Sequence, residues 1–403
     1  MPEGNDRSSD FVSTLRGLDV DNVFIYVGDA VRYDYLPDKL SDEGCVFKTI
    51  AASTHSPTSF ASLVSGQPAF VHGVNSFKTQ IHDDVFRLFD IEEYHTEFVN
   101  SIRHEGHQDP IFSVLGTEPD SESCFPDDVP EPYVVMERGQ GGHAPYNSEY
   151  STAGEYFRNV GIHQTETVRQ EYKTAVEADI QDFFRRLKEI GVGEETLVIY
   201  TSDHGELLGE GGMFGHTSPM RPELVYVPTV FMHPNLPTGS FNETLFRHID
   251  LLPTVLEILG CGERREDVTF DSSFLSDEDN GPAVSRYKLE FLSVDLPQVS
   301  GELQFEGVWD HDGGIVFPRS SFSDRLTFLL GKLSSSDKRS LLCRHLASAT
   351  RSYLKGETVY GSPSVTRQTA EELLESVPLE QMNVKERDLS DDDMEHLRDL
   401  GYL

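Results

Sequence analysis

Two apolar, β-branched runs place the strongest constraint on how this chain can fold. Residues 22–27 read NVFIYV and residues 196–200 read TLVIY, and a polar turn follows each of them. Uninterrupted apolar runs of this kind are typical of strands buried on both faces of a parallel sheet. Between them, residues 165–190 repeat apolar side chains at helical spacing, which predicts a long amphipathic helix. The sequence therefore predicts an α/β fold with a mostly parallel central sheet flanked by helices on both faces.

Further segments extend this pattern along the chain. Residues 227–234 predict another buried strand, and HIDLLPTVLEILG predicts a helix that ends at Gly260. After about residue 265, AVSRYKLEFLS and GVWDHDGGIVF alternate with turns and predict β-structure, and LSDDDMEHLRDLGYL predicts a terminal helix. We therefore expect a larger α/β domain over residues 1–265 and a smaller β-rich C-terminal part with a terminal helix over residues 266–403.

The chain is strongly acidic. Its 403 residues include 69 Asp and Glu but only 33 Lys and Arg, which gives a formal charge of −36. Such a charge repels nucleic acid and anionic membrane surfaces, so we expect neither as a partner. The acidic residues are spread along the chain, which is typical of halophilic proteins that work in strongly screening salt. The alternative is an acidic patch that binds a basic partner.

The remaining composition predicts a soluble cytoplasmic protein. Cys45, Cys124, Cys261 and Cys343 lie far apart with no CxxC pair, which fits neither a zinc knuckle nor a dense disulfide framework. The first residues lack the basic and apolar stretches of a signal peptide. We also expect no membrane span, because no apolar run is long enough.

Ser56 has two interpretations. In THSPTSFASLVSG (54–66), Ser56 precedes Pro57, and a serine before proline commonly caps a helix. Apolar residues then recur at helical spacing until Gly66. The start of a helix also offers N–H groups and partial positive charge that suit an oxygenated anion. Ser56 is therefore either a helix cap alone or both a cap and a nucleophile.

Acidic residues follow two of the predicted strands. Asp29 follows the first strand, and Asp203 and His204 follow the strand at 196–202. Taken alone, each Asp is as well explained by a helix cap as by a functional role. Because ligands of such sheets bind beyond the carboxyl ends of the strands, we expect these residues and Ser56 to converge. Carboxylate, hydroxyl and imidazole ligands together suit one divalent cation.

These segments resemble the alkaline phosphatase superfamily, most closely its sulfatase-like branch and the related phosphoglycerol transferases. The resemblance covers roughly residues 20–260. It is carried by NVFIYVGDAVRYDYL, SPTSFASLVSGQPAFVHGV, GGHAPY, TLVIYTSDHGELLGEGGMFGHTSPMRPELVYVP and HIDLLPTVLEILG, together with LRDLGYL at the end of the chain. It implies an alkaline phosphatase-like fold and a metal-dependent enzyme that acts on a sulfate or phosphate ester.

The resemblance also implies two groups of site residues. The implied ligands of one metal are Asp29, Asp203, His204 and Ser56. The implied catalytic residues are Ser56 as the nucleophile, with His143 and His216 as contacts to the ester oxygens or the leaving group. A histidine ligand favours Mn²⁺ or Zn²⁺, with Ca²⁺ or Mg²⁺ as alternatives. Each of the two loop histidines has solvent exposure as its alternative interpretation.

Two further residues are expected to be structural. His72 is expected to bind backbone groups in the turn after the serine helix. Arg32 is expected to pair with an acidic neighbour such as Asp34, with contact to a substrate anion as the alternative.

The sequence departs from sulfatases at the nucleophile. Sulfatases oxidise a Cys or Ser in a Cys/Ser-x-Pro-x-Arg setting to formylglycine, whereas here Pro57 comes one place early and Phe60 stands in place of the Arg. We therefore expect no formylglycine. A plain serine ester must be cleaved by water or by an acceptor alcohol, which favours phosphate esters, while the family resemblance favours sulfate esters.

Other departures concern the metal site. The paired Asp-Asp of the family is Asp29-Ala30 here, which removes one oxygen ligand, and His204 takes the place often held by Asn. The family's Lys-x-His segment is replaced near Ser101 and Arg103, with His104 and His107 close by. No Asp-x-x-x-His pair occurs between residues 140 and 195, so we expect one metal rather than two.

The leading functional hypothesis is a metal-dependent hydrolase that cleaves a sulfate or phosphate ester through Ser56. One alternative is a phosphotransferase like the phosphoglycerol transferases. Another is a non-catalytic protein that keeps the fold and binds a polyanionic glycan or a partner. The expected substrates are small-molecule, glycan or lipid esters. The sequence leaves the alcohol portion, the metal and the oligomeric state open.

Overall fold

The computed structural model describes most of the chain. The described residues are 11–102, 109–117, 129–146, 148–159, 165–261, 274–275, 281–292, 300–335, 339–376, 384–387, 389 and 397. The strands, in chain order, are β1 Asn22–Gly28, β2 Cys45–Ile50, β3 Thr79–Gln80, β4 His95–Asn100, β5 Tyr133–Gly139, β6 Thr196–Ser202, β7 Leu207–Leu208, β8 Phe214–Gly215, β9 Tyr226–Met232, β10 Gly239–Arg247, β11 Ala283–Leu292, β12 Ser300–Trp309, β13 Gly313–Pro318, β14 Thr358–Gly361 and β15 Lys385–Glu386. The α-helices are α1 Asp38–Glu43, α2 Ser56–Ser65, α3 Ala69–His72, α4 Ile111–Leu115, α5 Ala153–Asn159, α6 Thr165–Ile190, α7 Pro222–Val225, α8 Leu251–Ile258, α9 Phe322–Ser335, α10 Arg339–Arg344, α11 Leu346–Leu354 and α12 Arg367–Ser376.

The central sheet is mixed but mostly parallel. Among the described residues it has seven strands in the order β10-β2-β9-β6-β1-β5-β4. β1 pairs in parallel with β5 and β6, β5 pairs in parallel with β4, and β2 pairs in parallel with β10. Only β9 is antiparallel to its neighbours, β2 and β6, within the described part of this sheet. The predicted fold class is confirmed, and the run at 227–234 is the antiparallel member.

Helices cover both faces of this sheet. Along β1, Val23, Ile25 and Val27 belong to an apolar cluster that also contains side chains of α2 and α8. The alternate residues Phe24 and Tyr26 belong to a second cluster built around α6. Burial on both sides explains why β1 is a continuous apolar run rather than an alternating one.

The helix that carries Ser56 differs from its predicted form at the first residue. It spans Ser56–Ser65 and ends at Gly66, which has a positive φ of 65°, as the sequence predicts. However, His55 is the N-cap residue, and no side-chain cap hydrogen bond is made. The prediction that Ser56 caps the helix is therefore wrong, because Ser56 is already helical and its hydroxyl has a different neighbour.

The C-terminal part contains a separate antiparallel sheet. Its described strands follow the order β11-β12-β13-β14, and the segments AVSRYKLEFLS and GVWDHDGGIVF fall on β11, β12 and β13, as expected. Helices α9 to α12 lie in the same part of the chain as this sheet. The domain boundary near residue 265 stays a prediction, and the predicted terminal helix lies largely outside the described residues. Among the described helices, none combines the length and the apolar character that a membrane crossing requires.

The long helix α6 has the predicted bounds but buries one unexpected carboxyl group. Asp179 lies on its buried face and accepts hydrogen bonds from the hydroxyls of Tyr26 at 2.9 Å and Tyr200 at 3.3 Å. It also accepts one from the Gly141 N–H at 2.8 Å. Burial raises the pKa of Asp179 to about 6, although these hydrogen bonds oppose the shift. Asp179 therefore ties the loop after β5 to α6.

This buried carboxyl predicts a specific pH dependence of stability. Below about pH 4 the carboxyl is protonated in both the folded and the unfolded chain, whereas between about pH 4 and pH 6 only the folded chain keeps the proton. As the pH rises from about 4 to about 6, the free energy of unfolding of the wild type should therefore fall by about 3 kcal/mol. The reference is an Asp179→Asn variant, which cannot titrate at this position. Urea unfolding at several pH values measures the difference.

The matched control is Asp182→Asn, which removes an exposed carboxyl from the same helix. This variant should follow the wild-type pH profile. If the free energies of unfolding of the wild type and Asp179→Asn differ by the same amount at every pH from 4 to 7, the raised pKa of Asp179 is contradicted.

Candidate active site

The ends of two adjacent parallel strands bring three predicted ligands together. Gly28 of β1 and Ser202 of β6 are register partners, so Asp29 and Asp203 leave the sheet side by side. Asp29, Asp203 and His204 are buried, and each offers a ligand atom within 4.8 Å of the others. His204 Nε2 lies 3.5 Å from Asp203 Oδ2. Parallel pairing therefore produces the cluster that the sequence predicts.

Ser56 reaches this cluster from a third segment. Its Oγ lies 3.1 Å from His204 Nε2, and Ser56 is fully buried. His204 Nδ1 lies 2.9 Å from the carbonyl oxygen of Gly205, which can only accept, so Nδ1 carries the proton and Nε2 carries the lone pair. The lone pair of His204 therefore faces the Ser56 hydroxyl.

A buried arginine compensates the charge of the cluster. Arg138, near the end of β5, donates from Nη2 to Asp29 Oδ2 at 2.5 Å and from Nη1 to Asp109 Oδ2 at 2.8 Å. Burial would raise the pKa of Asp29, but Arg138, helped by His143 and His204, outweighs burial and lowers it. Asp203 has no such partner among the described residues, and burial together with the Asp29 charge raises the pKa of Asp203 despite the opposing effect of His204.

The donor set fits a divalent cation. Asp29 Oδ1 and Asp203 Oδ2 are buried and accept no hydrogen bond from the described residues. The other oxygen of each carboxylate is engaged, since Asp29 Oδ2 binds Arg138 and Asp203 Oδ1 accepts the N–H groups of Ala30 and His204. Buried carboxylate oxygens without donors are costly unless a cation compensates them. With His204 Nε2 and Ser56 Oγ beside them, the site offers both oxygen and nitrogen donor atoms.

The two predicted loop histidines lie beside this cluster and are buried rather than exposed. The ring of His216 lies 4.5 Å from that of His204, and the ring of His143 lies 5.1 Å from that of His216. His143 Nδ1 lies 2.7 Å from the Ala144 carbonyl oxygen, and His216 Nδ1 lies 3.4 Å from Glu206 Oε2. The His216 ring thus lies close to both other imidazoles, and the Nδ1 atom of each of the three rings lies near an acceptor.

The backbone around the site is shaped by close approaches. A Cβ atom at Gly141 would lie 1.8 Å from the Asp29 carbonyl oxygen, so only glycine fits there. Ala30 follows Asp29 with a positive φ of 57°, a conformation that costs a non-glycine residue about 1–2 kcal/mol. Hydrogen bonds hold Ala30 in place, since its N–H donates to Asp203 and its carbonyl accepts the Tyr172 hydroxyl at 2.8 Å.

The residues expected to be structural are placed as predicted. His72 Nδ1 accepts the Val74 N–H at 3.1 Å, and its Nε2 lies 2.9 Å from Ser62 Oγ. Arg32 binds both carboxylate oxygens of Asp34, at 2.8 and 2.6 Å. Of the segment that replaces Lys-x-His, Ser101 donates to Glu137 outside the cluster. Arg103, His104 and His107 lie outside the described residues.

Three important residues were missed from the sequence. Arg138 and Asp109 form the ion pairs beside Asp29, and Glu206 holds both His216 and the Tyr146 hydroxyl, the latter at 2.9 Å. The available signal was positional. Arg138 is a charged residue near the end of an apolar run, and Glu206 follows the Asp-His turn by two residues.

Comparisons with known proteins agree with this architecture. The family model described as Sulfatase matches residues 138–261. A relative from Haloferax volcanii, named low-salt glycan biosynthesis sulfotransferase Agl7, is 30% identical over 97% of this chain and 99% of its own length. Arylsulfatase K of Xenopus laevis is 35% identical over 42% of this chain and 35% of its own length.

Solved structures show the same fold at low identity. A 2-O GAG sulfatase superposes with a TM-score of 0.55 and 15% identity over 88% of this chain and 100% of its own. A phosphonate monoester hydrolase of Agrobacterium radiobacter superposes with a TM-score of 0.51 and 14% identity over 85% of this chain and 100% of its own. The fold is therefore alkaline phosphatase-like. With the full-length relative and the family model in agreement, the chain belongs to the sulfatase family of enzymes within the alkaline phosphatase superfamily.

Proposed function

We propose that this protein is a metal-dependent enzyme that breaks a sulfate ester on a glycan through Ser56 and passes the sulfuryl group to water or to an alcohol. The observation that carries the proposal is the 3.1 Å approach of Ser56 Oγ to His204 Nε2, beside the carboxylates of Asp29 and Asp203. The name of the full-length relative, a glycan sulfotransferase, supports a sulfated glycan over a phosphate ester.

Asp29, Asp203, His204 and Ser56 would hold the metal, with Mn²⁺ or Zn²⁺ favoured by the imidazole ligand. When bound, a divalent ion makes the serine hydroxyl more acidic and neutralises charge on the ester oxygens. The His204 lone pair is directed at Ser56 by the hydrogen bond from Nδ1 to Gly205. The same nitrogen is thus suited either to ligate the ion or to accept the serine proton.

The start of α2 supports the sulfuryl group during attack. Pro57 has no N–H, and the Ser59 N–H donates to the His55 carbonyl at 3.1 Å, so Thr58 supplies a helix-start N–H that neither feature removes and that suits an ester oxygen. The positive end of the helix also favours the negative charge that develops there. The start of α2 therefore offers the ester fewer backbone N–H donors than the sequence predicts.

His216 is the residue that we assign to the leaving group. Glu206 Oε2 lies 3.4 Å from His216 Nδ1 and can stabilise a protonated ring, and the His216 ring lies 4.5 Å from that of His204, the neighbour of Ser56. His143, whose ring lies 5.1 Å from that of His216, would contact the ester oxygens. Ser56 Oγ gives its proton to His204 Nε2 and bonds to sulfur, while the bond from sulfur to the ester oxygen breaks and the departing alcohol takes its proton from His216. Water or an acceptor alcohol then attacks the same sulfur and gives its proton to His216. The bond from sulfur to Ser56 Oγ breaks, and Ser56 recovers its proton from His204.

The metal site can be tested without an activity assay. Purified protein should bind about one divalent ion per chain, and Asp203→Asn should abolish that binding because it removes a charged ligand. Calorimetric titration with Mn²⁺ and Zn²⁺, and elemental analysis after dialysis, measure the stoichiometry. Asp34→Asn, which changes an exposed carboxylate paired with Arg32, is the control and should bind like the wild type. Equal binding by wild type and Asp203→Asn would refute the ligand set.

The nucleophile can be tested with paired substrates in molar salt. Ser56→Ala should reduce kcat on an aryl sulfate by at least about a thousandfold, because the covalent route is lost. Ser59→Ala, in the same helix, removes a hydroxyl that donates to the Ser53 carbonyl and should retain activity. Trapped protein should carry a sulfuryl group on the peptide that contains Ser56. If the aryl phosphate is turned over much faster than the aryl sulfate, the ester class is wrong while the nucleophile stands.

The assignment of His216 predicts a dependence on the leaving group. His216→Gln should slow an alkyl sulfate by about a hundredfold but slow a nitrophenyl sulfate only slightly, because a good leaving group needs no proton. The control is His82→Gln, a partly exposed histidine paired with Asp84. An equal loss on both substrates would show that His216 binds the ester rather than protonating the alcohol.

A further inference from the structure

A small pocket lies beside the serine helix and outside the cluster described above. It is lined by Thr58 in the first turn of α2, by residues 73–75 in the turn after α3, and by Arg286 and Lys288 of β11. No carboxylate belongs to its lining among the described residues. In a chain with 69 acidic and 33 basic residues, two cations that share a pocket without an acid are unusual and suggest an anionic ligand.

Arg286 is poorly compensated. Its Nε is buried and makes no hydrogen bond to any described residue. Its ion pair is loose, with Nε 3.9 Å from Glu306 Oε1. That carboxylate is already bound by Arg319 at 2.6 Å and Gln304 at 3.0 Å. Because a mostly buried guanidinium with one unused buried donor is costly, this position favours an additional anion.

Lys288 projects from the same face of β11, two residues further along. Its Nζ lies 2.9 Å from Glu302 and 3.6 Å from Glu290, so it is paired with carboxylates at the outer side of the strand. An anion in the pocket would therefore bind chiefly to Arg286, with Lys288 adding positive charge at the rim.

Hydrogen bonds join the strand that lines the pocket to the segment before Ser56. The backbone N–H of Arg286 donates to the Ala52 carbonyl at 2.9 Å, and the Ser285 hydroxyl donates to the Ala51 carbonyl at 2.5 Å. The segment that leads to Ser56 is therefore fixed to β11. The ring of Tyr287, between the two cations in sequence, packs 6.3 Å from the ring of His55, the residue before Ser56.

We propose that this pocket binds a second anionic group of the substrate, a sulfate or carboxylate on the saccharide whose sulfate ester reacts at Ser56. The inference rests on the proposed function for the identity of the reacting ester. It adds that the substrate is a polyanionic saccharide rather than one with a single charge. The competing source of the same chemistry is a free inorganic anion.

The test measures binding rather than turnover. In a Ser56→Ala background, calorimetry compares a sulfated disaccharide that contains a uronic acid with the same disaccharide after its carboxylate has been methyl-esterified. Adding Arg286→Gln should weaken binding of the charged probe by about tenfold and leave the esterified probe within about twofold, because one charge-assisted contact is lost. Lys288→Gln should act in the same direction with a smaller effect.

Two further variants make the result specific. Arg286→Lys should restore most of the affinity, which a mere packing defect would not allow. Arg185→Gln removes an exposed arginine from α6 and should leave both affinities unchanged. An equal loss for both probes, or no loss for either, would overturn the proposal.

Inorganic sulfate distinguishes the competing source. If sulfate binds the Ser56→Ala protein in an Arg286-dependent way while the charged disaccharide is insensitive to Arg286→Gln, the pocket takes a free anion and the proposal is wrong. Failure of the proposed function is a separate result, because it appears as unchanged turnover in Ser56→Ala with the binding difference at Arg286 intact.

Discussion

The buried guanidinium of Arg138 is the interaction on which the rest of the site depends. Asp29, Asp109 and Asp203 are all buried at one edge of the sheet, and Arg138 binds the first two. Removal of one partner from a buried ion pair costs about 3–5 kcal/mol, because the remaining charge has no compensation. Three carboxylates and one guanidinium leave two negative charges, which a single divalent cation balances. The one-metal site proposed above, where Ala30 replaces the family's second aspartate, would therefore be neutral with Arg138 in place.

The sequence predicted the parts of the fold that follow from periodicity and from strand ends. The apolar run of β1, the long helix α6 and the strand ends that carry Asp29 and Asp203 all follow from local patterns. Arg138 and Glu206 did not, because their importance depends on which strand lies beside which and on how a loop folds back. The Ser56 cap was wrong for a related reason. Residue preferences at helix starts favour a serine cap. In the structure, however, Ser56 is the first residue of the helix and contacts His204 instead.

The charge distribution separates the surface from the site. The exposed acidic excess is open to screening, since the Debye length falls to about 3 Å in molar salt. The buried contacts between Arg138 and Asp29, and between Ser56 and His204, exclude solvent and are far less affected. A chain of this charge can therefore keep a finely balanced site while its surface responds to salt. Arg286 differs from these pairs, because its ion pair with Glu306 is loose, at 3.9 Å.

The C-terminal part bears on the choice between hydrolysis and transfer. A plain serine ester is cleaved only when a nucleophile reaches it. The residues around Ser56 therefore determine whether that nucleophile is water or an alcohol. On one side, β11 is bound to the segment before Ser56 through Arg286. On the other, Ser352 of α11 donates to the Gly211 carbonyl at 3.3 Å, in the loop that leads to His216. The proposed chemistry thus lies at the ends of the central strands, while C-terminal residues contact the segments that lead to Ser56 and to His216.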